Sequence, residues 1–94
     1  MLSENQKYLE GYFIKRYYPN GQLAVFFQNY KSEPIAELSI FKNSVELGSN
    51  EIILKNYSEN VIIAQDLLES NILIPTDRFA LIGSHLCPIC RIAV

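Results

Sequence analysis

The chain has no tryptophan, one methionine, one histidine and two cysteines. Each scarcity removes a class of chemistry. With His85 as the only imidazole, any histidine-based nucleophilic dyad must be built on it. Its neighbour Ser84 would face the opposite way on a strand. There is no glycine-rich phosphate loop, no HExxH and no GxSxG. The acidic residues show no spacing that singles out a catalytic pair, so no catalytic residue is nominated and no enzymatic activity is expected. Two closely spaced cysteines make no disulfide framework and fit a reducing compartment. No stretch approaches the roughly 18 apolar residues of a membrane span. The opening Met1-Leu2-Ser3-Glu4-Asn5-Gln6 is polar and acidic, without the apolar centre of a signal peptide. A soluble, cytoplasmic protein is therefore expected. Clustered basic residues are also missing: Lys15-Arg16 is the only adjacent basic pair, and the formal net charge is −2. Displacing counterions from phosphates needs a concentration of lysine and arginine, so direct nucleic-acid binding is not expected.

What is present is an apolar, aromatic chain of 94 residues, 49% hydrophobic and 19% charged, with six Tyr and five Phe. That is the length of one domain, residues 1–94, and the balance of a folded one. The aromatic content suits a pleated surface. Lys7–Tyr18 and Leu23–Tyr30 read as strands, joined at Tyr18-Pro19-Asn20-Gly21-Gln22, where proline presets φ and Asn-Gly tolerates positive φ. After a second turn at Lys31-Ser32-Glu33-Pro34, Ala36, Leu38 and Ile40 alternate with Glu37 and Ser39 as on a half-wet strand. These three form an expected meander. A polar connection carrying Val45 and Leu47 leads to a fourth short strand, Glu51–Lys55.

The period then changes. Ser58 reads as a helix N-cap with Glu59 in the first turn, and a helix is predicted from Glu59 to Ser70 or Asn71. Ile72-Leu73-Ile74-Pro75-Thr76-Asp77 ends it, since Pro75 disfavours helix in the residue before it. Arg78–Ile82 and Leu86–Val94 read as the last two strands. The order is ββββαββ: an α+β, two-layer domain, one antiparallel sheet with a helix packed on a face.

On a helical wheel, Val61, Ala64, Leu68 and Ile72 form the predicted core stripe. The opposite side carries Glu59, Asp66 and Glu69, with Ile62 and Ile63 among them. Apolar side chains rimmed by charge are the pattern of a protein-binding patch, so Glu59, Ile62, Ile63, Asp66 and Glu69 are the candidate partner-binding residues. A homodimer interface through Ile62-Ile63 is the alternative use of the same surface.

The ending His85-Leu86-Cys87-Pro88-Ile89-Cys90 invites a redox or metal reading. A thioredoxin-like CxxC needs its first thiol at a helix N-terminus, and only Arg91-Ile92-Ala93-Val94 come after it. As a zinc site, His85, Cys87 and Cys90 supply three ligands where a structural site takes four, and a strand would turn the two thiols to opposite faces. Two buried, inert thiols beside a proline-kinked edge strand is the preferred reading, with no metal or cofactor. The aromatic strands, Tyr12 to Tyr30, resemble base-stacking platforms in density but lack interleaved basic residues. About half are expected in the core and the rest in cross-strand pairs.

Three segments carry a family resemblance: Tyr18-Pro19-Asn20-Gly21-Gln22-Leu23-Ala24-Val25, Glu33-Pro34-Ile35-Ala36-Glu37-Leu38-Ser39-Ile40 and Lys55-Asn56-Tyr57-Ser58-Glu59-Asn60. With Gly83-Ser84 and Cys87-Pro88-Ile89-Cys90-Arg91, the chain resembles a family of small domains carried on bacterial conjugative elements, integrated elements and phages. These motifs are turn and core residues, and no catalytic set comes with them. The resemblance implies a context in which small acidic domains act as stoichiometric inhibitors of host defence, anti-CRISPR proteins above all. It thus implies a protein partner, a CRISPR effector complex being the foremost case.

Overall fold

A computed structural model describes residues 11–29 and 34–93. The expected strand start at Lys7, the strand end at Tyr30, the turn residues Lys31-Ser32-Glu33 and the final Val94 lie outside the described residues. The chain forms β1 (Gly11–Tyr17), β2 (Leu23–Asn29), β3 (Pro34–Glu37), β4 (Glu51–Ile53), α1 (Val61–Glu69), β5 (Leu73–Ile82) and β6 (His85–Ile92). The class is α+β in the expected order. The strands divide, however, into two antiparallel sheets of three, β1-β2-β3 and β4-β6-β5, where one was expected.

The first hairpin closes as its turn chemistry dictates. Gly21 donates to the Tyr18 carbonyl at 2.8 Å with φ at 89°, and the Asn20 side chain accepts from Gln22 N at 3.0 Å. This sets β1 against β2 from Gly11↔Asn29 to Tyr17↔Leu23. At the far end Gly11 is required for closeness: a Cβ there would fall 2.1 Å from the Gln28 carbonyl oxygen.

The division into two sheets happens at Leu38–Ile40. The alternating run expected to continue as one strand pairs with β2 only as far as Glu37. Leu38 N still donates to the Val25 carbonyl, but Ile40 N donates to Ile53 and Lys55 N to Leu38, in the second sheet. Ser39 joins the two: its hydroxyl accepts from Val25 N at 2.9 Å while its backbone bridges Leu54. One face of the alternation serves the first sheet and the next residues serve the second, so a strand pattern becomes a crossover.

Two apolar clusters result. The larger packs Val25, Phe27, Leu38, Ile52, Leu54 and Leu73 with Ile63, Ala64 and Leu67 of α1 and with Cys90 and Ile92 of β6. The smaller lies on the other side of the second sheet, where Ile53, Ala80, Cys87 and Ile89 are covered by Ile40, Val45, Leu47 and Tyr57. The connection read as polar thus supplies a second cover. β6 lies between β4 and β5, so it is the central strand of its sheet and not the edge strand expected.

Pro75 does not interrupt the secondary structure around it. β5 runs through it, and the register breaks instead between Pro75 and Arg78, where Asp77 takes φ of 68°. The position is tolerated because β5 is an edge strand, where a missing N–H can face outward. The helix start also differs from expectation. Ser58 lies at φ 56° within a 3₁₀ turn, Ser58–Asn60, and makes no capping bond. The α-helix begins at Val61, and Asn60 turns inward to donate from its side chain to the Glu37 carbonyl at 2.7 Å. At the other end Asn71, at φ 62°, closes a Schellman motif: Ile72 N donates to Leu67 O at 3.1 Å and Asn71 N to Leu68 O at 3.2 Å.

Candidate interaction surface

The helix is rotated relative to the predicted wheel. Ile63 and Asp66, expected at the surface, are each only 4% exposed, while Val61, expected in the core, stands in solvent beside Ile62. Leu68 and Ile72 keep partial contact with the core. The reason is that α1 spans nine residues of which six are apolar, so two neighbouring stripes were both eligible. Asn60, tied to β3, starts the helix in the rotation that turns Ile63 and Leu67 inward. Of the five nominated partner-binding residues, Glu59, Ile62 and Glu69 are exposed and Ile63 and Asp66 are not. Glu59 is already engaged by Lys55 at 2.8 Å, and Glu69 accepts from Gln65 at 3.1 Å.

Asp66 is a carboxylate held out of water, and its Oδ2 has no hydrogen-bond partner among the described residues. Burial raises its pKa, and the charge of Glu69 pushes the same way. A folded-state pKa above the unfolded one means that the proton is held more tightly in the native state. The stabilisation therefore exists below the unfolded value and is lost as pH rises through the folded value. At neutral pH the ionised side chain is a liability. Asp66→Ala also gains helix propensity. We expect it to stabilise the fold by about 1 kcal/mol at pH 7, raising Tm by about 4–8 °C. The advantage should shrink as pH falls toward 4. Thermal melts of both proteins across pH check this, and a lower Tm for the variant at pH 7 would show that Asp66 has a stabilising partner.

The His85, Cys87 and Cys90 side chains do not converge. β6 turns Cys87 into the smaller cluster and Cys90 into the larger one, on opposite faces, and both are fully buried. Burial pushes the Cys90 thiol up to about 11 and raises Cys87 as well, the reverse of a reactive or metal-ready thiolate. His85 stays outside, its ring stacked flat on Tyr57 with centroids 3.8 Å apart. No group of three or more potential ligands gathers among the described residues. The aromatics are similarly divided. Phe27 is core with Phe13 tilted against it at 5.0 Å, Tyr18 packs on Phe41 at 5.2 Å, and Tyr17 is exposed.

Another exposed apolar feature lies on the β5–β6 hairpin. Gly83 at φ 60° opens its two-residue turn, and the strands pair from Ile82↔His85 through Leu81↔Leu86, Ala80↔Cys87 and Phe79↔Pro88. Ala80, Ile82, Cys87 and Ile89 point to the smaller cluster. The other face carries Phe79, Leu81 and Leu86, which are 57%, 62% and 61% exposed. Further along β6 that same face carries Cys90 and Ile92, which α1 and the first sheet cover. The apolar face thus continues past its cover. α1 begins at this end, since Tyr57, stacked on His85, precedes the 3₁₀ turn. Val61 and Ile62, the first two residues of α1, are exposed as well. The sequence did carry a signal: over Phe79–Ile82 and Leu86–Cys90 both alternate sets are apolar, although an antiparallel hairpin ordinarily has one wet face.

These features define a small, two-sheet α+β domain with one partly uncovered apolar sheet face. No family model, curated protein or solved structure matches the chain. No helix among the described residues is long and apolar enough to cross a membrane.

Proposed function

We propose that the chain is a non-enzymatic protein-binding domain whose partner docks on the bare hairpin face, Phe79, Leu81 and Leu86, extended by Val61 and Ile62. The observation that carries this is the continuation of a core-forming face into solvent. Three large side chains in register stay wet, while Leu73, Cys90 and Ile92 of the same face are buried in the larger cluster. Contiguous apolar surface of this kind costs solubility unless something covers it. The docking surface moves from the helix flank to the helix start and the hairpin, and Ile62 is the residue common to both. The family resemblance narrows the role to an inhibitor or accessory factor of a mobile genetic element, with an anti-CRISPR protein as its foremost form. Inhibition would be by occlusion, with no chemistry of its own.

The test uses purified CRISPR effector complexes of several types, target cleavage as readout, and Leu86→Asp as the variant. Leu86 is exposed on a central strand, so the substitution leaves the core and the sheet edge intact. Stoichiometric inhibition by the wild type, weakened at least about tenfold in the variant, a loss of about 1.4 kcal/mol, is the expected result. Undiminished inhibition by Leu86→Asp removes this surface. Inhibition of no effector type removes the anti-CRISPR form of the proposal.

A further inference from the structure

We infer that two copies of the chain pair antiparallel through the free edge of β5, joining their second sheets into one six-stranded sheet with a continuous apolar strip. This rests on the reading of the hairpin face as a docking surface and adds to it the partner that completes it. Three observations lead there. First, among the described residues β5 is the edge of its sheet. The two-residue turn makes Ile82↔His85 a hydrogen-bonded pair, so Ala80 also bonds inward to β6. The backbone groups of Phe79 and Leu81 therefore point away from the sheet.

Second, the edge is guarded over only half its length. Pro75 and the irregularity ending at Arg78 blunt the first half, as exposed edges commonly are blunted. From Phe79 to Ile82 there is no charge, proline or bulge. The Arg78 side chain, the nearest charge, is drawn back toward β4 by Glu51 at 3.1 Å and by the Glu46 carbonyl.

Third, this half-strand is self-complementary. A two-fold axis at Ala80 sets Phe79 opposite Leu81 of the second copy, and Leu81 opposite its Phe79. Both residues have outward backbone groups, and both side chains lie on the bare face, which is what an isologous contact needs. No like charges face each other in this register, since Arg78 falls opposite Ile82. One copy's Phe79, Leu81 and Leu86 expose roughly 270–450 Å², taking each side chain at about 150–250 Å². A stable interface buries about 800 Å² per partner. Two joined strips come much closer to that size than one, so pairing builds the platform on which a further protein docks.

The full chain is followed by sedimentation equilibrium from about 1 to 500 µM, a range that brackets edge contacts at the small end of interface sizes. A monomer–dimer equilibrium is expected, with association weakened at least tenfold in Leu81→Pro, which removes an outward N–H without touching an inward one. Leu86→Asp should change dimerisation less than threefold while weakening inhibition of the effector complexes at least about tenfold, so the two readings fail separately. Because Leu81→Pro could disturb the strand, amide exchange on the wild type provides a second measure. Phe79 and Leu81 amides should be protected at high concentration and exchange freely on dilution. A monomer throughout, a dimer indifferent to Leu81→Pro with those amides unprotected, or a dimer split equally by Leu86→Asp would each overturn the inference.

Discussion

Phe27→Ala should cost 3–5 kcal/mol, about the range seen when a phenylalanine is removed from a packed core. A chain of 94 residues has roughly 5–14 kcal/mol in all, at about 0.05–0.15 kcal/mol per residue. The loss is thus a large share of the total and, at the low end of that range, nearly all of it. Phe27 is fully buried on β2, opposite Ala36 of β3 and Phe13 of β1, and it faces the cluster that α1 and the second sheet close. Its strand neighbours are held by backbone ladders on both sides, which limits how far the space can close. The fall in Tm should be about 12 °C or more, at about 4–8 °C per kcal/mol for a domain of this size. Thermal and urea denaturation, both followed by circular dichroism, measure the two quantities. A loss below about 1 kcal/mol would mean that the first sheet does not pack on the second as described.

Asn60→Asp should be comparably damaging, for an electrostatic reason. Asn60 is buried, and its amide donates to the Glu37 carbonyl at 2.7 Å, tying the start of α1 to the end of β3. The isosteric carboxylate would place an anion against that carbonyl, away from water. Leaving a buried charge uncompensated costs about 3–5 kcal/mol. Asn60→Ala, which loses the bond but adds no charge, should cost about 1–3 kcal/mol. pH separates the two. In the Asp variant burial and the facing carbonyl raise the folded pKa above the unfolded value. Stability is then regained below the unfolded pKa, where a protonated carboxyl can donate to Glu37, and is lost as pH rises through the folded pKa. The Ala variant should show no such recovery. Equal losses for both at pH 7, with no difference on acidification, would show that Asn60 is not the anchor.

Asn60 also bears on the docking surface, because it ties the start of α1 to the end of β3. Where Asn60 fastens the helix start, Val61 and Ile62 face out and Ile63 faces in. That detail decides which residues a partner can touch. The helical wheel finds the right neighbourhood for exposed apolar residues but the wrong phase. With apolar residues at 61, 62, 63, 64, 67 and 68, periodicity alone admits two stripes, and the tether at Asn60 chooses between them. The hairpin face is only half legible in the sequence. Both of its faces are apolar there, and which one is left bare is decided by where the cover stops.

Local chemistry was legible wherever neighbours along the chain settle the matter. Proline and Asn-Gly at 19–21 dictated the first hairpin, Gly83-Ser84 the last, and the strand geometry of β6 sent Cys87 and Cys90 to opposite sides. The α+β class and the order of elements come from the same short-range rules. What needed the tertiary structure was every choice among partners distant in sequence. Leu38–Ile40 hands over from one sheet to the other, Pro75 sits harmlessly at an edge, Asp66 is buried with an unsatisfied oxygen, and one apolar face runs out beyond its cover. Turns and strand alternation are energies of adjacent residues, written directly in the order of the chain. Burial and exposure depend on what else arrives at the same place, and only the folded whole determines that.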